Sequence, residues 1–396
     1  MASPKIIISV NTAWNLYNFR SCLIKAFIQH GYQVIAAAPH DDYSHRLNEL
    51  GCRFVHVPMD SNGTHPARDL SLLMHYFRLL KVERPCVYLG YTVKPNVYGS
   101  MAAHMLGIPV INNIAGLGTT FINSSALTHL VRLLYRVALR KSRRVFFQNA
   151  DDQELFVNTG LVRPDSTDRL PGSGMDLTRF QATASLPAQN RDFVFLLVSR
   201  MLKDKGVEEF VEAARLLRRK GLPAQFQLLG FVDTANPNSI SWEKLCAWEA
   251  EGLVHYLGRT DDVRPYLANA DCVVLPSYRE GVPRSLLEAA AMARPIIATN
   301  VVGCKDVVDD HINGLLCLEK DAADLAEKMM EMLQFSPQRR AEMGMAGRRK
   351  VEREFDEKLV VQKYLNAIAD ITDAGENNDG KRNAFLTMCR KVARKS

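Results

Sequence analysis

The sequence predicts an α/β protein built from two doubly wound parallel-sheet domains. Short β-branched apolar runs alternate with helix-period segments along almost the whole chain, the rhythm of strands joined by crossover helices. The chain has 396 residues, more than the roughly 250–300 that one hydrophobic core usually serves. The alternation breaks where glycine, proline and charge cluster between Leu170 and Asn190. Two such sheets in one chain imply a cleft between them.

In the first half, strands are expected at 5–10, 33–38, 53–57, 86–90, 108–112 and 144–148, with helical patterns such as Leu23 to Gln29 and Leu70 to Leu80. The opening run stops at Asn11-Thr12, too short for a signal-peptide core, and reads as the first strand. From Leu127 to Arg144 an apolar helical period carries a band of cations, among them Arg132, Arg136, Arg140 and Arg143. Such a helix either lies on anionic lipid or packs on a core with its basic face in water, and the sequence leaves both open. Strands resume at 193–198, 225–229, 253–256, 272–275, 295–298 and 315–318. Domains are therefore expected over 1–180 and 181–352, followed by a helix at 353–372 and a basic tail at 373–396 that is either disordered or in touch with a membrane.

Residues 271–303 carry the most chemistry. Cys272 to Leu275 reads as a strand, Pro276 to Pro283 as a loop and Ser285 to Ala293 as a helix. Open parallel sheets bind ligands beyond the carboxyl ends of their strands, which puts Glu280 at a crevice. Gly281 admits close backbone approach, Pro283 suits a first helical turn, and the N–H groups of Arg284, Ser285 and Leu286 suit a phosphate. At 1.5 Å rise per residue, Glu288 stands on the order of 8 Å beyond Pro283, so the two carboxylates can bracket a diphosphate. Within Pro-Ser-Tyr-Arg-Glu-Gly-Val-Pro-Arg-Ser-Leu-Leu-Glu-Ala, the spacing of Glu280 and Glu288 resembles the signature of the family 4 retaining glycosyltransferases. These have the GT-B architecture, two Rossmann-like doubly wound parallel-sheet domains facing a cleft.

That resemblance implies a nucleotide sugar on the second domain and an acceptor on the first. Glu280 and the segment Gly281, Val282, Pro283, Arg284, Ser285 and Leu286 would orient donor sugar and phosphates, and Glu288 would bind ribose. Arg200 and Lys205, after the strand at 193–198, match the family's post-strand cations and would neutralise charge growing on a departing diphosphate, with Lys203 a bystander. The base is expected near Val254 to Arg259, including Gly258. Gly174, Asp176 and Phe180 fill the places of the family's interdomain segment, and the last helix is expected to return to the first domain. After the first strand the family's glycine pair is missing, and the chain reads Asn15, Asn18 and Arg20 instead. Arg20 is a candidate for an acceptor phosphate, against the alternative of a capped helix start with one exposed arginine. Lys94-Pro95-Asn96 and Asn112-Asn113-Ile-Ala-Gly116-Leu-Gly118 resemble the subgroup that builds lipid-linked O-antigen, capsule and N-glycan precursors, in particular bacterial polyprenyl-diphosphate-linked N-acetylgalactosaminyltransferases. Lys94 and Asn96 are carried over as acceptor-binding. Many relatives place a His before that Lys, where this chain has Val93.

Composition fits this reading. A hydrophobic content of 47% and a charged content of 23% are ordinary for a folded soluble domain. A net charge of +7 suits anionic substrates or an anionic membrane surface better than nucleic acid. The eight cysteines form no Cys-x-x-Cys pair and read as reduced core thiols. Asn62-Gly-Thr and Asn123-Ser-Ser match glycosylation acceptors but carry no weight in a cytoplasmic protein. No metal or cofactor is expected, because the metal-holding Asp-x-Asp pattern is missing and Arg200 with Lys205 would take its place. The expected protein is cytoplasmic, with a peripheral position on the inner face of the membrane as a further reading. It would move a sugar, GalNAc or another N-acetylhexosamine, from a UDP-sugar to a polyprenyl-diphosphate-linked glycan with retention. Two rival readings share the architecture: a UDP-sugar epimerase or hydrolase, and a non-catalytic nucleotide-binding partner of a glycan-assembly complex.

Overall fold

The computed structural model describes residues 3–60, 65–116, 126–182, 191–234 and 236–376. Asn62, Asn123, Leu117-Gly118, the segment 183–190 and the tail from residue 377 lie outside the described residues. The chain divides into two compact units, Met1–Ser173 with Glu357–Ser396, and Gly174–Asp356.

The strands of the first unit are β1 (Lys5–Ser9), β2 (Gln33–Ala38), β3 (Arg53–His56), β4 (Val87–Tyr91), β5 (Val110–Ile114), β6 (Arg144–Phe147) and β7 (Thr167–Arg169). They form one parallel sheet in the order β3-β2-β1-β4-β5-β6-β7. Ile7 pairs with Ile35 on one side and Tyr88 on the other. Helices cover both faces, so the middle of the central strand is apolar, and Ile6, Ile7 and Ile8 are fully buried. β7 is not foreseen by the sequence reading: Thr167-Asp168-Arg169 is a short polar edge strand with no apolar run to mark it. Helix Glu357–Glu376 belongs to this unit. Its Val360, Tyr364, Leu365 and Ile368 enter the same core as Phe27 and Phe146, with the Tyr364 ring 4.9 Å from that of Phe146.

In the second unit the strands are β8 (Phe193–Val198), β9 (Ala224–Leu229), β10 (His255–Tyr256), β11 (Cys272–Leu275), β12 (Ile296–Thr299) and β13 (Gly314–Cys317). Their parallel sheet runs β10-β9-β8-β11-β12-β13. Helix Val207–Arg219 buries Phe210, Val211, Ala214 and Leu217 in the core that holds the stacked rings of Phe195 and Phe226. Glu208 and Glu209 in its first turn and Arg218 and Arg219 in its last complement the helix dipole.

Chain order reverses between β1 and β4 in one sheet and between β8 and β11 in the other. A doubly wound sheet opens a crevice at such a point, because successive helices leave to opposite faces. Among the described residues Cys52, Cys246, Cys272, Cys304 and Cys317 carry free thiols. No helix among the described residues is long and apolar enough to cross a membrane.

Candidate active site

Two loops meet at the β8/β11 reversal. The first turns through Lys203–Lys205 and enters helix Val207–Arg219 at Gly206, whose φ of 70° is left-handed. The second, from Pro276 to Pro283, follows β11. Tyr278 N–H donates to the Asp204 carbonyl at 3.0 Å, and a Cβ on Gly206 would lie 2.1 Å from the Pro276 carbonyl oxygen. Only glycine permits that approach. It brings Lys205 Nζ to 2.5 Å from Glu280 Oε1, while Ser277 Oγ donates to the same oxygen at 2.8 Å. Ser277 is fully buried, and its carbonyl accepts from Thr299 Oγ1. Glu280 N–H donates to the Val302 carbonyl at 3.0 Å, and a Cβ on Gly303 would sit 2.5 Å from the Gly281 carbonyl oxygen. The carboxylate is thus pinned through one oxygen; Oε2 makes no hydrogen bond among the described residues.

The other expected donor residues fall around this pair. Helix Arg284–Ala291 starts at Pro283. Leu286 N–H, expected to be open, instead donates to the Pro283 carbonyl at 3.2 Å, because Pro283 is the N-cap whose carbonyl takes the first helical bond. Arg284 Nε donates to Glu288 Oε1 at 2.9 Å and Arg284 Nη1 to the Gly174 carbonyl at 3.1 Å. Burial pushes the Glu288 carboxyl above the usual carboxylate range, with Arg284 opposing. Gly281 is buried and Val282 and Ser285 are half-buried. Gly258, beyond β10, holds φ 73° and accepts from Gly230 N–H at 2.8 Å through its carbonyl. Arg200 stands apart from the Glu280 cluster. Met201 N–H is tied to the Phe231 carbonyl at 3.0 Å, so the start of this loop follows the one after β9. The Arg200 side chain stands half in water 3.9 Å from Asp233, without a bond to Glu280.

The acceptor candidates of the first unit are placed more variously. Asn15 N–H is capped by Thr12 Oγ1 at 3.1 Å, and its side chain is half-buried. Arg20 is 7% exposed, so it is not the surface arginine of the alternative reading. Its Cζ lies 4.5 Å from the Tyr91 ring centroid, and Nη1 donates to the Phe19 carbonyl at 2.9 Å. Lys94 is engaged with Asp69 at 2.9 Å, and Tyr98 Oη donates to the same carboxylate at 3.0 Å. Asn96 requires a correction: it is 1% exposed and faces inward. Its Nδ2 donates to the Asn113 carbonyl and its Oδ1 accepts from Asn112 Nδ2, each at 2.9 Å. The cause is local. Thr92 takes a left-handed φ of 58°, and a π-helical turn at Pro95–Gly99 winds Asn96 toward β5. His104 Nε2–H donates to the Ala138 carbonyl at 2.8 Å, consistent with a structural role.

Sequence reasoning passed over Ser277, Gly303 and Tyr91, and gave Asn113 a place in a motif but no role. Ser277 lies three residues before Glu280, a spacing that has no meaning in a loop until its conformation is known. Gly303 and Tyr91 come close to their partners only through strand order.

Residues 192–334 match the family described as "Glycosyl transferases group 1", and residues 21–172 match the "Glycosyl transferase 4-like domain". The chain is 30% identical over 366 residues to the N,N'-diacetylbacillosaminyl-diphospho-undecaprenol alpha-1,3-N-acetylgalactosaminyltransferase of Campylobacter jejuni, covering 89% of this chain and 94% of that protein. It is 26% identical over 277 residues to the UDP-Gal:alpha-D-GlcNAc-diphosphoundecaprenol alpha-1,3-galactosyltransferase of Escherichia coli, covering 67% and 70%. Among solved structures, the sucrose-phosphate synthase of Thermosynechococcus elongatus superimposes with a TM-score of 0.77 at 18% identity, over 94% of this chain and 100% of that one.

Proposed function

The chain belongs to the group 1 glycosyltransferases and is a sugar-transferring enzyme of GT-B fold, and from that premise we propose that it moves an N-acetylhexosamine from UDP to a polyprenyl-diphosphate-linked glycan with retention. The observation that carries the donor side is the Lys205–Glu280–Ser277 cluster at the β8/β11 reversal. Glu280, held through Oε1, offers Oε2 to a sugar hydroxyl. Lys205 lies against it, where a cation counters charge on the leaving diphosphate, and Arg200, half in water, supplies a second positive charge at the same sheet edge. The segment from Gly281 to Ser285 lines the diphosphate, Glu288 takes the ribose and Gly258 lies by the base. No carboxylate is assigned as nucleophile. The acceptor oxygen bonds to the anomeric carbon as the bond to the phosphate breaks on the same face, and the acceptor proton passes to the departing phosphate oxygen.

The names of two relatives support the lipid-linked acceptor, since each includes a diphospho-undecaprenol compound. The first unit holds that acceptor, with Asn15, Arg20 and Lys94 as its candidate contacts. Helix Ala126–Leu139 supplies a reason for the enzyme to meet its substrate at a bilayer. Val131, Tyr135, Ala138 and Leu139 face the core, while Leu130, Leu133 and Val137 are each about half exposed beside the exposed Arg136 and Arg140. An apolar ridge flanked by cations fits an anionic membrane surface. Incubating purified enzyme with UDP-GalNAc, UDP-GlcNAc or UDP-Gal and a polyprenyl-diphosphate glycan tests the reading. A one-sugar extension from one donor is expected. Donor turnover that is equally fast without the acceptor would replace transfer by epimerisation or hydrolysis.

A further inference from the structure

The first unit has its own crevice at the β1/β4 reversal, and a small, partly enclosed pocket lies there. Arg20 reaches it from helix Ala13–Gln29, Tyr91 and Asn113 from the carboxyl ends of β4 and β5, Ser173 from beyond β7, and Glu357 and Tyr364 from helix Glu357–Glu376. Its enclosed space is about 10 Å³, room for a single oxygen-sized group.

Two charged side chains line this pocket, the buried Arg20 and the half-buried Glu357. A buried guanidinium is costly unless an opposite charge or several hydrogen bonds compensate it. Arg20 donates one hydrogen bond, to the Phe19 carbonyl, and its buried Nε has no partner. None of the carboxylates among the described residues, Glu357 included, forms an ion pair with it. The Tyr91 ring offsets part of the cost but leaves the in-plane N–H groups unmatched. Asn113 adds a second mismatch. Its Nδ2 donates to Tyr364 Oη at 3.1 Å, while its buried Oδ1 has no partner. A half-turn of that amide lets the Tyr364 hydroxyl donate to Oδ1 and frees Nδ2 to donate elsewhere. Both residues then lack the same thing, a hydrogen-bond acceptor, and the cation asks that it be negative.

We propose that this pocket takes one anionic oxygen of a phosphate group, with Arg20 Nε and Asn113 Nδ2 as donors, and that the group is the diphosphate of the lipid-linked acceptor. The inference rests on the proposed acceptor for its source, though not for its chemistry. A single oxygen enters while the rest of the phosphate stays at the mouth, where a glycan can extend away from it.

The test uses the full chain, inorganic phosphate as a probe, and the lipid-linked acceptor. Inorganic phosphate is expected to raise Tm and to inhibit transfer competitively against the acceptor and not against the UDP-sugar. Arg20→Met is expected to abolish the phosphate-dependent rise in Tm and to increase the acceptor KM at least tenfold, with the donor KM within twofold of the parent. Should Arg20→Met fail to fold, Arg20→Lys keeps the charge and is expected to show a smaller rise in acceptor KM, and the inhibition pattern of the parent enzyme stands independently. A folded Arg20→Met enzyme with the parent's acceptor KM and an unchanged response to phosphate would mean that the pocket holds water only, and would overturn the proposal. Loss of the phosphate response with an unchanged acceptor KM would assign the site to free phosphate and overturn the acceptor as its source. Neither result touches the donor side: failure of the transferase reading would appear as absence of transfer in the parent enzyme.

Discussion

Glu280 accepts from both Lys205 and Ser277 through one oxygen, which fixes the carboxylate in rotation as well as in position. Removing the cation has two effects, since it withdraws a charge from the proposed leaving-group site and leaves a largely buried carboxylate unpaired. Lys205→Ala is therefore expected to lower kcat by about 10²-fold, and Glu280→Gln, which keeps shape and volume, by a similar factor. Single-turnover kinetics with circular dichroism as a folding control checks both; parent-like rates in either variant would remove that residue from the site. Ser277→Ala deletes only the orienting bond and should cost about tenfold or less. Glu288 offers a test by pH. Its folded pKa is raised by burial, so it takes up a proton at a higher pH than the unfolded carboxyl near about 4.3. The ionised form, disfavoured by burial, is a cost to stability that is absent below the unfolded pKa and grows as pH rises through the raised value. The ionised form is the stronger acceptor for a ribose hydroxyl, so UDP affinity should fall as pH drops through that window. Titration calorimetry across pH should find this slope lost in Glu288→Gln; an identical slope would separate Glu288 from the ribose.

Two elements turn these residues into a site. The loop through Gly206 packs so tightly on Pro276 that a methyl group has no room, and its left-handed φ adds strain for any side chain. Gly206→Ala is expected to destabilise the protein by about 1–3 kcal/mol and to cut activity with the cluster's side chains intact, measured by denaturant melts and donor KM. A fully active, equally stable variant would show that the loop approach does not matter. Helix Ala126–Leu139 is the second element. Its core-facing residues explain why it is a helix, while Leu130, Leu133 and Val137 gain nothing from that packing. Neutralising Arg136, Arg140 and Arg143, or replacing Leu133 by Ser, should weaken flotation with anionic vesicles and leave transfer to a detergent-solubilised acceptor within about threefold. Flotation that persists in both variants would take this helix out of the membrane reading.

At the scale of the whole molecule, the two units differ in how the chain builds them. Gly174–Asp356 is one uninterrupted segment, whereas the first unit is completed only by the helix that begins at Glu357. Val360, Tyr364, Leu365 and Ile368 are each at most 4% exposed, and burial of such side chains is worth about 1.5–3 kcal/mol apiece. That sum rivals the whole stability of an ordinary domain. Ending the chain after Asp356 should therefore unfold the first unit while the second keeps its thermal transition and its UDP affinity. Calorimetry showing both transitions intact would contradict this.

The fold was legible because parallel strands covered on both faces must be apolar, and the runs at Ile6 to Ile8 and Cys272 to Leu275 announce this without reference to any partner. Glu280 and Lys205 were legible for a similar reason, each lying in a loop that follows such a run. The sequence by itself determined the two sheets, their crossovers and the chemical types available at the loop ends. It could not reveal β7, which is polar and short, nor that Asn96 turns inward, since that depends on a π-helical turn and a left-handed Thr92. Nor could it reveal that Arg20 is buried over Tyr91, or that Arg200 sides with Asp233 rather than Glu280. Those outcomes belong to tertiary structure, because hydrogen-bond and charge partners distant in sequence are chosen by strand order and by which loop passes within 3 Å of which.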